Sequence, residues 1–129
     1  LFSLLKVDAN SLANKSIASG RVAVFLYSND IPFEILTTGK EDGSRSVVPL
    51  VPFVVFVDDF NYFIELDFIE GIGVVEIVIS QSGSVIYSSS ENILSPLRKY
   101  LQLPFGVSGE YCIEIKGDNG AYVYGCFEL

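Results

Sequence analysis

The sequence has no histidine, no tryptophan and no methionine. Without histidine, Ser-His-Asp and Cys-His nucleophile systems, HExxH zinc sites and proximal haem ligation are excluded together. Two cysteines with no histidine beside them also leave a zinc ion short of ligands. Basic residues are scarce: 8 Lys and Arg stand against 16 Asp and Glu, for a net charge of −8. A phosphate backbone is repelled by such a surface, and the one basic pair, Arg98-Lys99, is too little to offset that. Nucleic acid is therefore excluded as a partner. No stretch reaches the roughly 18 apolar residues that a membrane helix needs. The longest, Val47 to Val57, is interrupted by Pro49 and Pro52.

What is present points to strands. Half the residues are hydrophobic, the mean hydropathy is +0.44, and Val, Ile, Phe and Tyr dominate that half, the residues that fit a pleated sheet. A chain of 129 residues is one domain with length enough for a real core. It starts at Leu1 rather than methionine, so a processed form with an export signal upstream is expected.

The most legible part is the end. Tyr111, Ile113 and Ile115 alternate with Cys112, Glu114 and Lys116; Val123, Phe127 and Leu129 alternate with Tyr122, Tyr124, Cys126 and Glu128. Between them, Asp118 and Asn119 suit a type I turn and Gly120 the left-handed position after it, which makes a three-residue hairpin loop. That loop sets Tyr111 opposite Phe127, Ile113 opposite Gly125 and Ile115 opposite Val123, matching the apolar faces. It also sets Cys112 opposite Cys126 at a non-hydrogen-bonded pair, where strands approach most closely. A cross-strand disulfide on the outer face is one reading of that pair; two facing thiols are the other.

Upstream, Leu4, Leu5, Leu12 and Ile17 could line one side of a short helix, diluted by polar residues. Arg21 to Tyr27 reads as an edge strand, and also as an arm through which two copies would pair as a homodimer. Phe33 to Thr37 reads as a short strand, Gly39 to Arg45 as a solvated turn, and Ser46 to Val57 as a strand at a sheet edge because of its prolines. Tyr62 to Glu70 follows, with Tyr62, Ile64, Leu66 and Phe68 facing one way and Phe63, Glu65, Asp67 and Ile69 the other. Val74 to Ser80 and Ser84 to Ser88 form a hairpin through a three-residue loop, Gln81-Ser82-Gly83, placing Ile79 opposite Val85 and Ile77 opposite Tyr87. Ser88 to Ser90 reads as a polar strand end. Leu97 to Leu103 completes the set, with Tyr100 or Leu101 inward. Seven or eight short strands with regular turn signals predict an all-β, immunoglobulin-like antiparallel sandwich over residues 31–129, preceded by an N-terminal extension, 1–30.

Few residues suggest a site. Asp58, Asp59 and Asn61, or Asp118 and Asn119, offer hard oxygen ligands of the kind calcium takes, but turn chemistry alone favours the same residues there. Tyr122 and Tyr124 on the outer face, with Phe63 or Phe56, would make a stacking platform for a sugar or peptide, or an interface. Glu65 and Asp67 share a face, with Glu76 as a further carboxylate, yet an open sheet face supplies no cleft to raise the pKa of an acid catalyst. No cofactor and no enzymatic activity are expected.

Three blocks carry a resemblance: GKEDGSRSVVPLVP, VVEIVISQSGSVIYSSS and GEYCIEIKGDNGAYVYGCFEL. Over about two-thirds of the chain they resemble a family of small exported Bacteroides-type proteins of unknown function with an immunoglobulin-like fold. A looser similarity, from Val75 to Tyr124, is to the C-terminal sorting domains of type IX secretion cargo, through the plan I-x-x-x-G-x-V-I-Y and G-x-Y. The first implies a periplasmic or cell-surface address and brings no functional residues. The expectation is a non-enzymatic envelope module with a binding or structural role, its partner an envelope protein or a glycan. The alternatives are a sorting or docking domain and a carbohydrate-binding module using exposed aromatics.

Overall fold

The computed structural model describes residues 20–36 and 51–129. The helix-like pattern before residue 20, the loop from Gly39 to Arg45 and the first part of the strand predicted at Ser46 lie outside them. Nine strands are present among the described residues: β1 (Arg21–Ala23), β2 (Tyr27–Ser28), β3 (Phe53–Asp58), β4 (Phe63–Phe68), β5 (Gly73–Gln81), β6 (Ser84–Ile93), β7 (Leu97–Gln102), β8 (Glu110–Gly117) and β9 (Tyr122–Glu128). They form two sheets, β1-β3-β4-β7 and β2-β9-β8-β5-β6, and every pairing is antiparallel. No described helix is long and apolar enough to cross a membrane.

The core is what the alternation demands. Phe53, Val55 and Val57 of β3 and Ile64, Leu66 and Phe68 of β4 meet Val75, Ile77 and Ile79 of β5, Ile113 and Ile115 of β8 and Val123 and Phe127 of β9. Two facing sheets bury one side of each strand and leave the other wet, which is why a period of two runs through these segments. Tyr111, fully buried at the head of β8, stacks on Phe127 and donates its hydroxyl to the Val107 carbonyl four residues upstream. A tyrosine at this corner, bonded back to the chain just before its strand, recurs in immunoglobulin-like sandwiches.

The closing hairpin has the register that its turn chemistry requires. Tyr111 pairs with Phe127, Cys112 with Cys126, Ile113 with Gly125 and Ile115 with Val123. The Gly117 amide donates to the Ala121 carbonyl at 2.8 Å, and Gly120 takes φ +97°, the left-handed region that glycine enters without strain.

Three local expectations are corrected. The β5–β6 loop has two residues: Ser82 and Gly83 both have positive φ, as a primed hairpin turn requires. Gln81 therefore pairs with Ser84, and a bulge at Ile86 restores the faces, so Ile79 meets Tyr87 and Ile77 meets Ser89. The serine run is not a strand end, because β6 continues to Ile93. Phe33 to Leu36 is not a strand; Phe33 is a core side chain, packed edge-on to Phe53. Of the two inward candidates on β7, Leu101 is buried and Tyr100 exposed.

The stretch read as one strand, Arg21 to Tyr27, is divided between the sheets. β1 pairs with β3, the Val24 amide donates to the Val55 carbonyl at 2.9 Å, and β2 pairs with β9. Residues 20–30 thus form a strap across one open side of the sandwich. It can cross there because Gly125 has no side chain: a Cβ would lie 2.7 Å from the Phe25 carbonyl oxygen and 2.9 Å from Val24 Cγ1. Asn29 locks the far end. Its side chain accepts from the Tyr122 and Ile31 amides and donates to the Gly120 carbonyl.

Candidate functional site

The strap completes an aromatic stripe on the outer face of the five-stranded sheet. Along residues 21–27, Val22, Val24 and Leu26 turn inward to the core, so Phe25 and Tyr27 are set outward by the same alternation. Tyr27 pairs in register with Tyr124, and their rings stack at 5.4 Å. Phe25 meets Tyr27 edge-on at 5.1 Å, and Tyr122 lies 6.0 Å from Tyr124. Four rings form a continuous run, with Phe25 55% exposed and Tyr27 and Tyr124 each 39% exposed.

Tyr122 anchors one end. Its hydroxyl donates to Glu114 Oε2 at 2.6 Å. Partial burial, and then the carboxylate it serves, push its pKa up to about 12, so the phenol stays protonated at neutral pH. Glu114 pairs in register with Tyr124 and with Val78, so the stripe borders its carboxylate. Beside it, Cys112 and Cys126 are joined by a disulfide across a Cα–Cα distance of 4.0 Å. Glu110 lies close enough to both sulfurs to complete a trio of metal-ligand types, but with the sulfurs bonded to each other only the carboxylate is left to coordinate.

Sequence reasoning grouped Phe63 and Phe56 with Tyr122 and Tyr124; the fold separates them. Phe63 is on β4 of the other sheet, edge-on to Tyr100 at 5.6 Å, and Phe56, on β3, lies under the Arg21 guanidinium at 3.9 Å. The missing members of the stripe are Phe25 and Tyr27. Their outward alternation was readable, but not the sheet edge on which they would come to rest.

The carboxylates divide in the same way. Glu65 and Asp67 share the outer face of the four-stranded sheet, whereas Glu76 belongs to β5 and pairs with Lys116. Glu65 is only 5% exposed. In register it lies between Phe56 and Tyr100, and it accepts from Arg21 Nε at 3.2 Å and Nη2 at 3.0 Å. Arg98 adds a contact at 3.4 Å and binds Asp67 at 3.0 Å. The Arg21 bonds hold the Glu65 carboxyl below its ordinary value against the opposing pull of burial. A carboxylate so paired is ionised and structural rather than poised as an acid.

Asp58, Asp59 and Asn61 sit together at the β3–β4 turn. Asp58 Oδ1 accepts from the Phe60 and Asn61 amides, each at 2.9 Å, and Oδ2 accepts from Asn61 Nδ2 at 3.2 Å. Burial and then the neighbouring Asp58 raise the Asp59 pKa. Asn119 likewise serves its own turn, donating to the Pro32 carbonyl and accepting from the Ala121 amide. Both clusters shape turns, as their residue types favour.

Two antiparallel sheets packed face to face, with a buried tyrosine corner, are the architecture of an immunoglobulin-like module. A solved protein of the DUF3244 family from Bacteroides vulgatus, described as an immunoglobulin-like β-sandwich, matches it with a TM-score of 0.59 at 19% identity, covering 83% of this chain and 96% of that one. At that identity the likeness establishes the fold. No family model and no curated protein matches the sequence.

Proposed function

We propose that this chain is a non-enzymatic module of the cell envelope, exported to the periplasm or cell surface, that binds an extended glycan along the Phe25–Tyr27–Tyr124–Tyr122 stripe. The observation that carries the reading is the stripe itself: four rings in continuous contact, outward on a rigid sheet, three of them well exposed. Sugar rings stack on aromatic faces through their C–H groups, and flanking polar groups orient the hydroxyls. Glu114 stands where it can accept from a ligand hydroxyl. The disulfide hairpin and the strap hold the rings in place, so little ordering entropy is lost on binding.

A non-enzymatic role is supported by the state of the carboxylates. Glu65 and Asp67 are engaged by arginines, and Glu76 faces away on the other sheet. A docking tail of the sorting type would need its closing hairpin free. β9 instead lies between β2 and β8, with Val123 and Phe127 in the core, which favours the stripe as the working surface.

The test is a thermal melt across a panel of soluble glycans. Ligand at 100 times its dissociation constant adds about 2.7 kcal/mol, a shift of several degrees for a domain of this size. The shift should vanish in Tyr27→Ala and Tyr124→Ala and survive in Phe63→Ala, which lies on the opposite face. A flat panel, or equal loss in all three variants, would overturn the proposal.

A further inference from the structure

Among the described residues the two sheets end in four edge strands, and three of them are blunted. β1 has three residues and carries Arg21; β2 has two. β7 has six, includes Arg98 and Lys99, and is flanked by Pro96 and Pro104. Short length, cations, prolines and bulges are the devices by which sheet edges avoid pairing with other chains. β6 has only a bulge, at Ile86 near its start. It runs ten residues, Ser84 to Ile93, with no proline, lysine or arginine. Its single charge, Glu91, is already paired with Lys99 of the same chain at 3.3 Å and accepts from Ser89 at 3.0 Å.

We infer that β6 is a self-association edge, pairing antiparallel with β6 of a second copy about a twofold axis at Ser89. The sequence of the strand is self-complementary in that register. Ser88 faces Ser90 of the second copy, so short hydroxyl side chains let the backbones approach and bond across the axis. Tyr87 faces Glu91, so no carboxylate opposes its own image. The bulge at Ile86 leaves Val85 outward beside Ser80, whereas Ile93 is buried in its own core, so the matched stretch is Tyr87 to Glu91 of each copy, self-paired as an isologous contact must be. The product is one ten-stranded sheet made from two five-stranded ones, with both aromatic stripes at its outer edges. The segment 21–27, read from sequence as an edge strand or a dimer arm, pairs within its own sandwich and supplies an edge strand to each sheet.

Sedimentation equilibrium of the 129-residue chain over a wide concentration range tests this. The wild type should approach twice its 14.1 kDa mass. Ser88→Lys with Ser90→Lys sets lysine opposite lysine across the axis and should weaken association on the order of 100-fold. Ser88→Asp with Ser90→Asp should weaken it equally, and carries the test by itself if the lysine variant does not fold. Mixing the two variants should restore the dimer mass. A wild type that stays monomeric at every concentration overturns the inference. So does a dimer indifferent to these substitutions, which would put the contact on another edge.

Discussion

Replacing Cys112 and Cys126 together by serine is the perturbation whose size the structure allows to be worked out. The bond joins residues 14 apart in sequence. In the chain-entropy account, closing a loop of about 15 residues removes enough freedom from the unfolded state to stabilise the fold by about 3 kcal/mol. The folded side should change little: both residues lie half-buried on an outer face, so serine opens no core cavity. The hairpin keeps its register, since Tyr111–Phe127 and Ile115–Val123 remain in the core. A loss of about 3 kcal/mol in a domain of this size lowers the melting temperature by roughly 10–15 °C. Melts followed by circular dichroism, with and without reductant, should show the wild type falling to the level of the double-serine variant when reduced. If reduced and oxidised protein melt within about 2 °C of each other, the entropic reasoning fails. If alkylation of denatured, unreduced protein labels both thiols fully, the bond itself is refuted.

Other outcomes follow from the same geometry. Gly125→Ala puts a methyl against the Phe25 carbonyl and Val24; overpacking of this kind costs about 1–3 kcal/mol. Faster exchange of the Val24 and Asn29 amides should show the strap lifting. Tyr111→Phe removes one buried hydrogen bond and should cost about 1 kcal/mol, read as a lower denaturant midpoint with unchanged slope. Glu65→Gln should cost about 1–3 kcal/mol at neutral pH. The folded carboxyl titrates below its ordinary 4.5, so its contribution is present above that value and lost as pH falls through the folded pKa. The gap between wild type and variant should therefore close in acid, and a gap independent of pH would be wrong. Tyr122 runs the other way: with a pKa raised from 10.0 to about 12, it stabilises the fold below pH 10 and loses that contribution as pH rises toward 12. Tyr122→Phe should flatten this alkaline slope.

The register of the closing hairpin, and with it the Cys112–Cys126 pair, could be read from about twenty residues, because a turn and the two strands it joins are local. The β5–β6 hairpin shows where such reading slips. Ser-Gly supports both a three-residue loop and a primed two-residue turn, and a bulge at Ile86 conceals the difference by restoring the faces. Tyr111 was legible as a core residue, but its hydroxyl partner, Val107, depends on how the preceding turn folds back.

The sequence by itself determined an all-β chain, which side of most strands faces inward, the chemistry of its turns, and the exclusion of histidine-based catalysis. These are properties of neighbours in the chain, and period-two alternation encodes them directly. Only the tertiary structure decided which sheet each strand joins. Both sheets write the same alternating pattern, so an outward aromatic on β4 and one on β9 look alike in sequence and lie on opposite faces of the molecule. For the same reason a carboxylate on an outward position, Glu65, reads as solvated until Arg21 and Arg98 arrive from other strands to cover it, and two outward rings of the strap join Tyr124 only where the chain crosses Gly125.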